Sequence, residues 1–333
     1  MKLQNIGEFG LIEEYIAPEF KELVKKHVTG IGDDCAIIPI NDTISHIHTT
    51  DMLIEKTHFL KDKITPYQLG FKSLAVNLSD IAAMGGSPIG SYLSIGFPKD
   101  IEVEWIEQFM KGYKALSQQE EVPLLGGDTT SSEDKIVINV GVTGEMETHR
   151  IKKRTAAKTG DLICLTGEVG DSAGGLQVIL KDLPVDEFAE KLLQQHLKPY
   201  PHVSEGKWLS RFDGVHAMMD VSDGISSDLR HILKASRRKG IVDLERIPLS
   251  KALTEYSSEH DLDALELGVS GGEDYVLLLT IDPNDYEEID EAFRDRFQKP
   301  LYRIGTIDEG EPEITYRKDE QEFREIKKGY SHF

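Results

Sequence analysis

A chain of 333 residues is too long for one ordinary domain and long enough for two cores. Its formal charge of −21 argues against a nucleic-acid partner, which normally leaves a basic footprint, and no apolar run reaches the roughly eighteen residues of a membrane span. Two distant cysteines, Cys35 and Cys164, argue against a disulfide framework, and the opening residues lack the basic-then-apolar order of a signal peptide, so the expected location is cytoplasmic.

Residues 7–16 space their apolar groups as a short amphipathic helix that closes near Pro18. In Gly30-Ile31-Gly32-Asp33-Asp34-Cys35-Ala36, two glycines free the backbone and two carboxylates follow. The apolar Ile37-Ile38-Pro39-Ile40 comes next, which sets the charges on a tight loop at a sheet edge. The alternating segment 44–50 reads as a strand that Asp51 ends, and His58 stands beyond it as either a structural or a functional histidine. Thr65-Pro66 opens a helix that runs to about Met84. On this helix Ser73, Asn77, Asp80 and Met84 share a stripe that lacks the Lys and Glu of a solvated face, so it reads as turned toward a site or, alternatively, as a plain exposed stripe.

A strand over 88–97, an amphipathic helix over 102–119, the segment Gly126-Gly127-Asp128-Thr129-Thr130 and a strand from Ile136 to Val142 complete a first α/β unit. The basic run Arg150-Ile151-Lys152-Lys153-Arg154 reads as a solvated linker or as a phosphate clamp, and the expected domains are 1–148 and 149–333. In the second unit a strand over 162–166 precedes helices from Gly170, over 185–196 and over 202–212. A strand over 215–219 then delivers Asp220, Ser222 and Asp223 to a helix over 225–239, where Asp223 is either a cap or a ligand. A helix from 250, the Gly271-Gly272-Glu273-Asp274 turn, a strand over 275–281, a helix over 284–296 and a strand over 301–307 finish the layer.

No P-loop, kinase catalytic loop, zinc motif or nucleophile elbow is present. The recurring pattern is acid beside glycine at an apolar run, and its oxygen donors suit Mg²⁺ completed by phosphate oxygens. Unpaired carboxylates would repel a phosphate, so several divalent ions are needed before such a cluster binds a nucleotide.

Seven motifs in order carry a family resemblance: Gly7–Ile12, Gly30–Ala36, Thr49–Asp51 with His58-Phe59, Val76–Met84, Leu125–Thr130, Asp220–Gly224 and Ser270–Tyr275. Together they resemble the thiamine-monophosphate kinases, within the superfamily of aminoimidazole ribonucleotide synthetase. The resemblance implies a two-domain α/β (α+β) fold whose N-terminal sheet pairs across a homodimer and whose C-terminal α/β domain binds substrate. It implies transfer of a phosphoryl group from ATP to thiamine monophosphate, dependent on several Mg²⁺ ions. Carried onto this sequence, it makes Asp34, Asp51, Asp80, Asp128 and Asp220 metal ligands, with Thr49 and Thr50 near one ion and Asp223 at another. Gly127, Asp128, Arg154 and Ser222 become nucleotide contacts, and His58, Glu273 and Tyr330 contacts to thiamine phosphate. The rival readings are another ATP-using synthetase of the superfamily, of the selenophosphate synthetase kind, and a non-catalytic acidic metal-binding protein.

Overall fold

Alternating burial along the strands and helical spacing between them resolve into two sheets with helices packed between and around them. The structure is a computed structural model that describes residues 5–25, 27–319 and 321–323, so the candidate Tyr330 lies outside the described residues. The chain opens with two short helices, α1 (Gly7–Gly10) and α2 (Ala17–Phe20), on either side of a π-helical stretch, Leu11–Ile16. Pro18 therefore does not end the helical segment. It occupies the first turn of α2, where the missing N–H costs least.

The first sheet has the order β1 (Ala36–Pro39), β2 (Ile44–Ile54), β5 (Val137–Glu147), β3 (Ser87–Phe97) and β4 (Leu124–Ser131); β3 and β4 run parallel and the other neighbours antiparallel. One expectation is corrected here. Pairing with β5 continues to Ile54, so Asp51 sits inside β2 instead of ending it. Gly126-Gly127-Asp128, to which the sequence assigned no element, lies within β4, because the free edge of β3 offers it a parallel ladder.

One face of this sheet is covered by α3 (Pro66–Ala83), which packs on α4 (Val103–Gln119). Helix α3 starts on a capping box in which the Thr65 and Gln68 side chains each satisfy the other's backbone, a device worth about 1 kcal/mol. The helices touch backbone to backbone through two glycines. A Cβ on Gly112 would lie 1.8 Å from the Tyr67 carbonyl oxygen, and one on Gly70 1.9 Å from that of Phe109. The other face of the sheet carries Met52 and Tyr92, each nearly half exposed.

In the second half α5 (Asp171–Lys181), α6 (Glu187–Leu197), α7 (Val203–Leu209), α8 (Ile225–Ser236), α9 (Lys251–Glu259), α10 (Ala264–Ser270) and α11 (Tyr286–Phe297) surround a second sheet. Its order is β12 (Gln321–Phe323), β11 (Ile314–Lys318), β8 (Lys239–Asp243), β10 (Tyr302–Asp308), β6 (Leu162–Leu165), β9 (Leu277–Ile281) and β7 (Val215–Asp220). Strands β8, β11 and β12 are not among the elements expected from the sequence; at three to five residues each they are too short to display a period. Both faces of the central strands are buried. Leu162, Cys164, Leu277 and Leu279 join the core of the first sheet, while Ile163, Leu165 and Leu278 pack with Leu229 and Ile232 of α8. The alternation thus welds two sheets into one body, with α3 between them and against β7. No described helix is long and apolar enough to cross a membrane.

Candidate functional site

The acids gather where the two sheets meet. Asp34 comes from the loop before β1, Asp80 from the last turns of α3 and Asp220 from the end of β7, and one oxygen from each lies within 4.8 Å of the others. Each is held by its surroundings. Thr49 Oγ1, on the α3-facing side of β2, donates to Asp80 Oδ2. Ser79 Oγ donates to Asp220 Oδ2 at 2.6 Å. Asp51 is tied in through its backbone, whose N–H donates to Asn77 Oδ1 at 2.9 Å. The stripe of Ser73, Asn77 and Asp80 on α3 therefore faces β2 and the acids, with Ser73 and Asn77 fully buried.

Arg154 is paired to this cluster. Its Nη2 lies 2.5 Å from Asp34 Oδ1 and its Nε 3.3 Å from Asp34 Oδ2, while its backbone N–H donates to Asp33 at 3.3 Å. The two neighbouring carboxylates thus differ: Asp34 takes the guanidinium fork and joins the cluster, and Asp33 accepts from backbone. Burial acts against the Arg154 charge, and the Asp34 carboxylate outweighs it and holds the guanidinium firmly ionised. One arginine does not neutralise the group. Burial first, and then the charge of Asp34, pushes Asp51 up to about 6 and Asp220 up to about 7; burial and then Asp51 push Asp80 well above the usual carboxylate range. Buried, mutually repelling oxygen donors from three separate elements are a donor set that fits Mg²⁺.

Asp80 and Asp220 of the cluster, together with Asp51, line a cavity of about 580 Å³. Ser222 and Asp223 line it beside the acids, and Ala173, Leu176 and Leu267 give it an apolar wall. His58 and Glu273 also line the cavity. His58 Nδ1 accepts the backbone N–H of Ile54 at 2.9 Å. Glu273 is a non-glycine residue at φ 63, its N–H donating to the Ser222 carbonyl at 2.7 Å.

Other candidates stand apart from this cluster. Thr50 points away from Thr49 by strand alternation, accepting from Asn139 Nδ2 at 2.9 Å and donating to the Val140 carbonyl at 3.1 Å. Gly127 and Asp128 lie on β4, an edge strand exposed along its whole length. In the ladder Asp128 pairs with Ser94, Ser94 with Asn139 and Asn139 with Met52, so three strand spacings, about 14 Å, separate it from β2.

Ser79, Lys72 and His196 were not among the candidates. Lys72 left one signal in the sequence, a lone cation inside the apolar run of α3, and it is 1% exposed. Ser79 and His196 have no signal of their own, because their partners Asp220 and Ser172 come from remote parts of the chain.

Comparison with known proteins gives the chain a family. The family model for the AIR synthase related protein N-terminal domain matches residues 32–146, and that for its C-terminal domain residues 158–317. The thiamine-monophosphate kinase of Escherichia coli (strain K12) is 36% identical over 329 residues, covering 98% of this chain and 98% of that protein. That of Bacillus subtilis (strain 168) is 33% identical, covering 91% and 93%. A solved structure described as AaThiL complexed with AMPPCP and TMP superposes with a TM-score of 0.86 at 33% identity, over 100% of this chain and 99% of the other. With likeness of this extent in sequence and in fold, the chain belongs to the thiamine-monophosphate kinase family, built on the two-domain AIR synthase-related fold.

Proposed function

We propose that this protein transfers the γ-phosphoryl group of ATP to thiamine monophosphate, giving ADP and thiamine diphosphate, in a reaction dependent on several Mg²⁺ ions. The observation that carries the reading is the convergence of Asp34, Asp80 and Asp220, the last two lining a cavity whose wall also includes His58 and Glu273. It is supported by the family, whose members share that name, and by the relative solved with AMPPCP and TMP.

Asp34, Asp80 and Asp220 would hold the ions, with Asp51 and Thr49 beside them and Asp223 near the Ser222 end. Bound Mg²⁺ supplies charge neutralisation between two phosphate-bearing substrates that would otherwise repel each other. Arg154 and Ser222 are placed to meet the nucleotide, the arginine by exchanging part of its Asp34 contact for phosphate oxygens. Glu273 and His58 meet the thiamine phosphate. The acceptor is a phosphate monoester whose second ionisation falls near pH 6, so it arrives as a nucleophile and no side chain is needed as a general base. Transfer is therefore direct and in line, with no phosphorylated residue on the path. Residues 1–148 act as the metal-binding and dimerisation half and 149–333 as the substrate half, in the cytoplasm.

The location of Asp128 favours a homodimer. An exposed edge strand and an unpartnered sheet face bearing Met52 and Tyr92 are surfaces that a monomer would have to protect. A second copy packed on that face covers them and brings its own Gly127 and Asp128 toward the outward side of β2, where Thr50 stands. The test is an assay of purified protein with ATP, thiamine monophosphate and Mg²⁺. Equal amounts of ADP and thiamine diphosphate, abolished by chelation, are expected. ATP turnover indifferent to thiamine monophosphate, or isolation of a competent phosphoprotein, would overturn the reading.

A further inference from the structure

Lys72 lies on α3, 1% exposed, and reaches across to the other half of the molecule. Its Nζ donates to Glu273 Oε2 at 2.9 Å and to the His196 carbonyl oxygen at 2.9 Å. His196 Nδ1 is 3.3 Å from the same Oε2 and 3.0 Å from Ser172 Oγ. Two groups therefore converge on one oxygen of a carboxylate whose side chain remains 28% exposed on the cavity wall.

The arrangement is costly for a merely structural contact. A buried ammonium is desolvated, and an apolar side chain of similar volume commonly holds two elements together at least as well. Glu273 is also strained, since a non-glycine residue at φ 63 costs on the order of 1 kcal/mol and persists where its surroundings over-determine it. Those surroundings are the Ser222 carbonyl on its N–H and Lys72 on its side chain. Burial acts to raise the Glu273 carboxyl, but Lys72 and His196 outweigh it and hold the group below the usual carboxylate range.

We propose that Lys72 is a positioning residue for the acceptor substrate: by pinning Glu273 Oε2 it presents Oε1 to the cavity, as the acceptor for the amino group or cationic ring of thiamine monophosphate. The inference rests on the substrate reading above. Lys72 itself touches no substrate and acts through Glu273.

The test compares wild type with Lys72→Met, Glu273→Gln and the double variant, reading thermal melting together with KM for each substrate. Lys72→Met is expected to raise KM for thiamine monophosphate about tenfold or more while KM for ATP stays within about twofold. Glu273→Gln is expected to do the same, and adding Lys72→Met to it to do nothing further, because the two act as one unit. A folded Lys72→Met protein with unchanged KM for thiamine monophosphate, or with both KM values raised together, overturns the proposal. If Lys72→Met does not fold, Glu273→Gln decides alone, since it keeps the shape of the side chain: an unchanged KM for thiamine monophosphate overturns the proposal and a raised one supports it. Wild-type protein that makes no thiamine diphosphate fails the reaction reading, and this inference with it. A wild type with normal turnover whose variants keep its KM fails only the role of Lys72.

Discussion

Asp80 and Asp128 look alike in the sequence, each an aspartate among small residues, yet the structure treats them oppositely. Asp80 is drawn into a buried cluster with Asp34 and Asp220, its carboxyl pushed up by burial and by its neighbours. Asp128 stands on an exposed edge strand three ladder steps from β2. The first carboxylate sits among other acids of its own chain, and the second accepts the neighbouring Thr129 N–H on an exposed strand. The comparison breaks if the two respond alike to substitution. The largest effect is therefore expected at the cluster: Asp80→Asn or Asp220→Asn should lower kcat/KM for thiamine diphosphate formation by roughly a thousandfold or more, since each removes a charge proposed to hold metal against phosphate. Either variant retaining wild-type turnover would mean the cluster is not the metal site.

Asp128→Asn should cost less, about a hundredfold, and should differ in kind. If Asp128 serves the site of a second copy, mixing Asp128→Asn protein with Asp80→Asn protein creates dimers with one site doubly altered and one intact. With random exchange about a quarter of wild-type activity should return. No recovery after demonstrated subunit exchange would assign Asp128 to its own chain or to no site. Next in size is the surface itself. Leu125→Lys places a charge on β4 where Leu125 is 56% exposed, and should weaken assembly so that activity falls about tenfold on dilution while the protomer stays folded. A concentration-independent activity with unchanged sedimentation would leave β4 without a partner.

The same contrast marks how far the sequence can be read. Helix α3 was legible almost to the residue, because its limits are local chemistry: a Thr-Pro cap at one end and Gly85-Gly86 at the other, with the Asn77 and Asp80 stripe following from the helical period. Position 51 was misread as a strand end, and the strand through 126–128 was not foreseen, for one reason. Whether a chain continues as a strand depends on the ladder offered by β5 or β3, which lies far away in the sequence. The acids themselves were visible from their glycine neighbours and from the family resemblance. Two of the groups that hold acids, Ser79 and Lys72, were not. Ser79 on Asp220 spans 141 residues and Lys72 on Glu273 spans 201, and no local period reports such pairs.

The smallest effect separates the two aspartates by sign. In metal-free protein the cluster carries buried carboxylates whose repulsion works against folding, so replacing Asp220 with the uncharged Asn removes a charge while keeping an oxygen for the Ser79 hydroxyl. Asp220→Asn should then be about 1 kcal/mol more stable than wild type under chelation, a melting temperature a few degrees higher, even as its activity is lost. Asp128→Asn alters an exposed group and should stay within about 0.5 kcal/mol of wild type in the same melt. Adding Mg²⁺ should reverse the order at the cluster, because an ion that binds only the folded state stabilises wild type and finds fewer ligands in Asp220→Asn. If chelated Asp220→Asn melts below wild type, the carboxylate is held mainly by Ser79 and Arg154, and the cluster is a set of satisfied polar groups in place of a site strained for want of a cation.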